Sequence, residues 1–202
     1  MARNQQRRLG IPWLRIVGSC CALILAGCGD DEKTTPMSPT VQVSPGVLSY
    51  NPLSVDSIPD FFVGYSFQSI VDLEIVSLAA YDHDANGLAV AHRVGLWAAD
   101  QTFLGSVTVT SADPLAGSFR YHALSSPIPL TAGRTYYIAG EVTQPDPYVY
   151  EADTIVLDAR IANLQSYFRS TFRFGFPNMR AVGREYLSVN FAINPSGTSK
   201  LR

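Results

Sequence analysis

From residue 41 onward, the chain consists of short runs in which apolar and polar residues alternate, separated by Gly, Pro, Asn and Asp. A period of two is typical of a strand with one buried face, because successive side chains point to opposite sides of a sheet. Runs of this kind occupy residues 63–69, 71–80, 92–98, 102–110, 118–124, 134–142 and 187–193. The pattern predicts a strand in each of them.

The clearest alternation lies at residues 167–176. One face would carry Phe168, Ser170, Phe172, Phe174 and Phe176, and the other Tyr167, Arg169, Thr171 and Arg173. We predict one continuous strand here, with the phenylalanine face packed and the arginine face in water.

The spacing of these eight runs predicts an all-β domain, since no amphipathic helix longer than two turns is evident. The expected architecture is a two-sheet antiparallel β-sandwich of eight or more strands, Greek-key or jelly-roll-like. A closed barrel is the alternative. An irregular connection at residues 143–155, which contains Pro145 and Pro147, favours the sandwich.

The amino-terminal residues follow a different pattern. Residues 1–15 contain four arginines and no acid. They are followed by an apolar stretch at residues 16–26, which is too short to span a bilayer. It ends in Leu25-Ala26-Gly27-Cys28, which resembles the lipobox of bacterial lipoproteins. The resemblance implies that residues 1–27 are a signal peptide and that Cys28 is acylated. A twin-arginine signal at Arg7-Arg8 is the less favoured export route.

Residues 28–40 are polar and rich in proline and threonine, so we predict a flexible tether, followed by one domain at residues 41–202. The resemblance places the protein in the bacterial envelope, attached to the membrane by its lipid. Gly29 rather than aspartate after the acylated cysteine favours the outer membrane if the cell is Gram-negative.

The charge and the cysteine content of the chain restrict the classes of partner and of chemistry that we expect. Without the four arginines of residues 1–27, 11 basic side chains face 17 acids, a formal charge of −6, which argues against nucleic acid. Cys20 and Cys21 would leave with the signal peptide, and Cys28 would be acylated. We therefore expect neither a disulfide nor a thiol nucleophile in the mature domain.

Several ordered segments between Gly64 and Phe191 resemble a domain of unknown function that recurs in secreted and PEP-CTERM-sorted bacterial proteins. They are Gly64-Tyr65-Ser66-Phe67, Asn86-Gly87-Leu88, His92-Arg93-Val94-Gly95-Leu96-Trp97, Phe119-Arg120-Tyr121, Leu130-Thr131-Ala132-Gly133-Arg134-Thr135-Tyr136, Asp146-Pro147-Tyr148 and Phe174-Gly175-Phe176-Pro177. The resemblance implies a β-sandwich module of an exported protein and brings no established activity. We expect the lipid on Cys28 to replace the carboxy-terminal sorting segment of such relatives.

The loop at residues 82–87 is a candidate calcium site. Asp82, Asp84 and Asn86 offer side-chain oxygens at alternate positions before Gly87, as the first half of an EF-hand loop does. Arg93 stands where the bidentate glutamate of that motif would be, so a remote carboxylate would have to complete the shell. The simpler interpretation is a tight turn at Asn86-Gly87 with solvated acids, and no cofactor is required.

Catalytic signatures are weak. The three histidines are far apart in sequence, and His92 shares strand parity with Val94 and Leu96, which indicates a hydrogen-bonded residue at the rim of the core. No Gly-x-Ser-x-Gly motif occurs. Asp72 and Glu74 could form a carboxylate pair, although exposed acids on a half-buried strand are the more common case. We therefore expect a protein that is not an enzyme.

A binding function has more candidates. Aromatic rings stack on the apolar faces of sugars, and Trp97, Tyr148 and Tyr150 could supply them. A tryptophan at position 97 is more often part of a sandwich core, whereas the two tyrosines lie in the predicted connection and should be exposed. Arg169 and Arg173 could hold an acidic glycan or phosphate, or merely solvate an outer face.

These observations favour a lipid-anchored, non-catalytic envelope module that binds a cell-surface carbohydrate or matrix component. A structural partner in an envelope protein complex is the alternative, and an enzyme such as a glycan hydrolase comes third. A sugar-binding protein should show clustered, exposed aromatic side chains, a structural partner a flat apolar face, and an enzyme a pocket with convergent ionisable groups.

Overall fold

Antiparallel strand pairing dominates the part of the chain that the computed structural model describes, residues 46–57, 61–171 and 173–195. These residues form twelve strands and a short 3-10 turn at His83–Ala85. The strands are β1 (Leu48–Asp56), β2 (Phe61–Ser69), β3 (Leu73–Tyr81), β4 (His92–Ala98), β5 (Phe103–Val109), β6 (Leu115–Ala116), β7 (Phe119–Leu130), β8 (Thr135–Val142), β9 (Tyr148–Leu157), β10 (Ile161–Arg169), β11 (Met179–Arg180) and β12 (Val189–Ile193).

Two of the three sheets face each other. The larger has six strands in the order β11-β10-β2-β8-β4-β5, and the smaller has four in the order β12-β3-β7-β6. The chain crosses between them after β2, β3, β5, β7 and β11, so neighbours within a sheet are often distant in sequence. This connectivity belongs to a β-sandwich.

Alternate side chains of both sheets fill the space between them. Phe67 of the large sheet meets Phe191 of the small one, with ring centroids 4.6 Å apart, and both rings are fully buried. The same core cluster contains fully buried aliphatic and aromatic residues from both sheets and from the segment just before β12: Tyr65, Ile75, Leu78, Val94, Leu96, Ile138 and Leu187. The period of two thus positions the core, as the sequence pattern predicts.

The third sheet is a two-stranded ribbon of β1 and β9. It packs on the outer face of the four-stranded sheet, where Tyr50 meets Phe119 at 6.0 Å and Tyr81 at 6.4 Å between ring centroids. Val149 of β9 joins the same apolar cluster as Tyr81 and Phe119. The small sheet is therefore covered on both sides, and the outer face of the six-stranded sheet lies opposite, away from the ribbon.

The all-β sandwich prediction is confirmed, and seven of the predicted runs coincide with β2, β3, β4, β5, β7, β8 and β12. Two local predictions are wrong. Residues 143–155 are not simply a connection, because β9 begins at Tyr148 and pairs with β1. Residues 167–176 are not one strand, because β10 begins at Ile161 and ends at Arg169.

The predicted signal peptide at residues 1–27, the acylated Cys28 and the tether at residues 28–40 all lie outside the described residues. Within the described part of the chain, no helix is long and apolar enough to cross a membrane.

Candidate functional site

Rows of paired residues organise the outer face of the six-stranded sheet. In β4, Arg93, Gly95 and Trp97 point outward, since Val94 and Leu96 lie in the core. Antiparallel partners point to the same side of a sheet, so the outward residues of neighbouring strands form continuous rows. The strand registers define three such rows.

The first row runs Gln165–Ser66–Tyr137–Trp97–Phe103 across five strands. The second runs Arg180–Tyr167–Gly64–Ala139–Gly95–Ser106. The third contains Arg169, Phe62 and Glu141, together with Arg93, whose backbone N–H donates to Glu141 Oε2 at 3.1 Å. The middle of the second row therefore carries only small residues, which makes a shallow trough between two rows of large ones.

The chain after β10 returns over the sheet as residues 173–176, the covering segment, which fills this trough. Phe174 lies over the face, with ring centroids 5.3 Å from Trp97 and 5.6 Å from Phe62. Phe176 lies 4.7 Å from the ring of Tyr137. The two phenylalanines do point to the same side, as their spacing predicts, but they pack onto the sheet surface instead of extending β10. Pro177 and Gly175 suit a loop better than a strand interior.

Gly95 permits this approach. A Cβ at this position would overlap the rings of both Phe174 and Trp97, so any larger residue would push the covering phenylalanine away from the sheet. The glycine is required here by close contact.

Trp97 is buried, with 3% of its surface exposed. Its ring is enclosed by Phe103, Phe174 and Phe176 on the outer face, outside the inter-sheet core. Trp97 therefore supports the surface from beneath, and the rings that meet solvent are its neighbours.

Those neighbours form an aromatic cluster that is open to solvent. Phe103 is 50% exposed, and Tyr137, Tyr167 and Phe176 are half-buried. The rings of Tyr137 and Tyr167 lie edge to face at 5.0 Å. Burial, followed by a hydrogen bond with the Tyr167 side chain, raises the pKa of Tyr137. The Tyr137 phenol is therefore neutral at neutral pH and can donate or accept hydrogen bonds.

Amide side chains border this aromatic cluster. Asn163 Nδ2 donates to Gln68 Oε1 at 2.7 Å, and Gln68 Nε2 donates to the carbonyl of Gly133 at 2.9 Å. Gln165 is exposed and stands in the same row as Tyr137. The face thus combines flat apolar rings with fixed polar groups.

Arg169 and Arg173 both lie at this face. A Cβ at Gly175 would overlap the Arg169 guanidinium, which shows that the covering segment passes directly over it. Arg173 is exposed on the covering segment itself. The structure thus places Arg169 beneath the segment that covers Trp97, and Arg173 on that segment.

Tyr148 and Tyr150 lie elsewhere, next to Tyr186. The expected exposure of Tyr148 is wrong: it is 6% exposed because β9 carries it into an apolar cluster with Val63 and Val142. Burial, reinforced by nearby Tyr186 and Asp56, raises the pKa of Tyr148 to about 12. Tyr150 is half-buried beneath the Arg184 guanidinium, 4.9 Å from the ring centroid.

The proposed calcium loop is held by a buried ion pair. The side chain of Asp82 is fully buried and accepts the Arg120 Nε–H at 2.6 Å and the Gly87 N–H at 3.1 Å. Asp84 and Asn86 are exposed, and Asp84 lies 3.4 Å from His83 Nε2. Among the described residues, no group of three or more His, Cys, Asp or Glu is placed to hold a metal ion. A calcium site built on Asp82, Asp84 and Asn86 stays a prediction.

A second pair, largely buried, lies beside that loop. The Glu141 carbonyl accepts a hydrogen bond from His92 Nδ1 at 2.9 Å, and His92 Nε2 lies 2.8 Å from Asp146 Oδ2. Burial favours the neutral acid of Asp146, but the N–H groups of Ala89 and Val90 and the His92 ring outweigh it and lower its pKa. His92 is a hydrogen-bonded histidine at the rim of the core, as its position on the same strand face as Val94 and Leu96 predicts.

A cleft of about 480 Å³ opens above this pair, between the loops after β3, β5 and β8. Its walls include His83, Asn86, Ser111, Pro145 and Asp146. The carboxylates near it are already engaged, by Arg120 at Asp82 and by His92 at Asp146. Asp72 and Glu74 lie elsewhere, and each accepts a hydrogen bond, from Ala132 N–H and from the Asn194 amide.

Comparison with known proteins now identifies the domain. The family model of a domain of unknown function, DUF4082, matches residues 52–187. The chain belongs to this family. The match covers the sandwich from β1 to the residues just before β12, including every strand of the outer face. No curated protein sequence matches the chain.

The sequence pattern did not predict the row of small outward residues at Gly64, Ala139 and Gly95, nor the segment that covers it. The signal was present: β2, β4 and β8 each place a glycine or alanine at an outward position, flanked by large residues. A trough of that kind needs a covering side chain, and Phe174-Gly175-Phe176 is the nearest apolar segment without a core position.

Proposed function

We propose that this DUF4082 chain is a non-catalytic module that binds carbohydrate at the bacterial envelope. The observation that carries the proposal is the open aromatic cluster of Phe103, Tyr137, Tyr167 and Phe176 on the outer face of the six-stranded sheet. Aromatic rings stack on the C–H faces of sugars, and neighbouring amides and phenols bind the hydroxyl groups.

The dimensions of the face suit an extended chain of sugars. The first row crosses five adjacent strands, and strands are spaced about 4.8 Å apart, so the row is about 19 Å long. The rings lie over a sheet whose core is fully packed, so the surface is ordered before a ligand binds. Preorganisation of this kind reduces the entropic cost of binding.

The pairing of the ionisable groups supports a binding role over a catalytic one. Arg120 holds Asp82, His92 holds Asp146, and His122 lies 2.9 Å from Asp113. A general acid or base needs a free lone pair or proton that faces the substrate. Asp82 is fully buried against Arg120 and both ring nitrogens of His92 are bound, whereas in the His122–Asp113 pair only Nδ1 of the histidine is bound.

The lipobox-like sequence that ends at Cys28 supports a location in the bacterial envelope. The likeness to modules of secreted and PEP-CTERM-sorted proteins supports the same location. Acylation of Cys28 would anchor the domain to a membrane, and residues 28–40 would let it reach its ligand. In a Gram-negative cell, Gly29 favours the outer membrane. A structural calcium ion at Asp82, Asp84 and Asn86 is an optional part of this proposal.

A glycan array with the full chain in mild detergent tests the proposal, read with calcium and again with EDTA. We expect selective binding that is lost in Tyr137→Ala and Tyr167→Ala and kept in Tyr150→Ala, which removes a half-buried tyrosine from another cluster. Loss of the signal in EDTA would place calcium in the site. A blank array would refute the carbohydrate proposal, and glycan cleavage would refute the non-catalytic one.

The alternative is a structural partner in an envelope complex, and one observation favours it. The β1–β9 ribbon exposes Leu53 at 62%, Val156 at 57% and Ile155 at 37% of their surfaces. Exposed apolar side chains on a two-stranded sheet are typical of protein contacts. Envelope pull-downs with Leu53→Ser and Val156→Ser variants would separate this function from sugar binding.

A further inference from the structure

Arginines without carboxylate partners surround the aromatic cluster. Among the described residues, the arginines in ion pairs within 4.0 Å are Arg120, Arg160 and Arg184. Within the described part of the chain, four arginines of the outer face have no such pair, namely Arg93, Arg169, Arg173 and Arg180, and Arg134 in the turn before β8 has none either. Unpaired cations gathered on one face indicate an anionic partner.

Acids are nearly absent from the same face. The six strands of the large sheet contain a single acid, Glu141, although the whole chain has 17 acids and 15 lysines and arginines. Residues 171–178, which include the covering segment, contain none. Glu141 is also engaged, since its Oε2 accepts the backbone N–H of Arg93. The four arginines and Glu141 together carry a formal charge of +3 on a chain whose net charge is −2.

The geometry of Arg93 suits the recognition of an anion. Its guanidinium carbon lies 3.7 Å from the ring centroid of Phe174, and its Nη2 donates to Ser106 Oγ at 3.4 Å. Stacking on an aromatic ring fixes the guanidinium plane and leaves the other N–H groups at its edge. Those groups can bind a carboxylate or sulfate with two parallel hydrogen bonds.

The other three arginines extend the charge around the rings. Arg180 is the cross-strand partner of Tyr167, so both side chains point outward. Arg169 stands in the same row as Phe62, beneath Gly175, and Arg173 precedes Phe174 on the covering segment. Each cation therefore lies next to an aromatic residue of the face or its cover.

We propose that the ligand of this face is an anionic polysaccharide, whose sugar rings stack on the aromatic cluster and whose acidic groups bind the four arginines. This inference rests on the carbohydrate proposal above and names the class of glycan. Carboxylate groups of uronic acids and sulfate groups share the required chemistry, since both accept paired N–H donors from arginine. The charge complementarity would also speed the encounter with a long polyanion.

Matched pairs of polymers test the inference with the full chain in detergent. Polygalacturonate is compared with its methyl-esterified form, and dextran sulfate with dextran, in binding measured by biolayer interferometry. We expect each acidic polymer to bind about tenfold or more tightly than its neutral counterpart. Binding should weaken as NaCl rises from about 0.05 to about 0.5 M, because salt screens exposed charges.

Substitutions locate the effect. Arg169→Gln combined with Arg180→Gln should weaken binding of the acidic polymer about tenfold or more. Arg184→Gln also removes a positive charge, but from the Tyr150 cluster, and should leave binding unchanged. Circular dichroism confirms that each variant is folded. A preference for carboxylate over sulfate polymers, or the reverse, would identify which acid is recognised.

The two proposals fail in different ways. Equal binding to acidic and neutral polymers, unaffected by the arginine substitutions, would overturn the anionic ligand and leave carbohydrate binding intact. Binding to no polymer would overturn both. Equal binding to duplex DNA and to anionic lipid vesicles, insensitive to Tyr167→Ala, would show an unspecific polyanion surface and overturn this inference too.

Discussion

At the scale of single residues, one buried and one partly buried carboxylate are fixed by specific donors. Asp82 is bound by Arg120 and by Gly87 N–H, and Asp146 by His92 and two backbone N–H groups. Each joins a loop to a strand: Arg120 lies in β7 and His92 in β4. Buried ions need such partners because an unpaired charge in the interior is strongly destabilising.

Asp82→Ala should lower the free energy of unfolding by about 3–5 kcal/mol, because it leaves the Arg120 guanidinium without its partner. Asp84→Ala is the matched control, since Asp84 is exposed, and its effect without metal should be below about 1 kcal/mol. Chemical denaturation in EDTA measures both. Similar losses in the two variants would contradict the structural role of Asp82.

The same pair of variants tests calcium. If the ion binds at Asp82, Asp84 and Asn86, calcium should raise the melting temperature of the unmodified protein, and each substitution should abolish that increase. Equal melting temperatures in calcium and in EDTA would refute the calcium site.

At the scale of elements, the segment after β10 acts as a cover for the open sheet. Phe174 and Phe176 bury Trp97 and fill the trough formed by Gly64, Ala139 and Gly95. The cover comes from the chain adjacent to an edge strand, so it needs no additional layer of secondary structure.

Phe174→Ala should expose Trp97, shift its fluorescence emission to longer wavelength and cost about 1–2 kcal/mol of stability. The measurement uses a Trp13→Phe background, in which Trp97 is the only tryptophan. Phe168→Ala is the control, because this half-buried ring contacts Phe61 and Tyr186 instead. Emission that is unchanged in Phe174→Ala would show that the segment does not cover Trp97.

The elements that the sequence predicts are those whose alternation is set by the inter-sheet core. In β4, Val94 and Leu96 face inward and Arg93 outward, so period and burial agree. The prediction fails at residues 167–176 because Phe174 and Phe176 also alternate, but against the surface of another part of the sheet. An alternation with a period of two residues shows only that the alternating side chains point to the same side. It does not identify the surface against which they pack.

The candidate site was predictable only in part for the same reason. Trp97, Arg169 and Arg173 could be selected by residue type, and the structure places them on the same face of the large sheet or on the segment that covers it. Tyr137, Tyr167, Arg93 and Arg180 join them through the order of strands in the sheet. That order depends on pairings such as β2 with both β8 and β10, which are distant in sequence.

At the scale of the whole molecule, the two outer faces of the sandwich differ in what covers them and in their charge. The four-stranded sheet lies beneath the β1–β9 ribbon, and the six-stranded sheet presents aromatic rings and arginines. With the proposed lipid at Cys28, the domain would be attached to the membrane through its amino-terminal end.

Cys28→Ser should block lipidation and leave the precursor with residues 1–27 uncleaved. Incorporation of labelled palmitate and the mass of the membrane-bound protein in a bacterial host measure both steps. Cys20→Ser and Cys21→Ser are matched controls and should mature normally. A Cys28→Ser variant that is cleaved at the same residue would refute the lipobox.

The contact between Gly95 and Phe174 has a consequence for the diversity of the DUF4082 family. Because a side chain at position 95 and a ring at position 174 would occupy the same space, these two sites cannot vary independently. Members with a bulky residue at position 95 should lack the rings at both position 174 and position 97, and their open sheet should then carry a different lining. The family would divide into groups with differently shaped faces, and each group would select its own ligands.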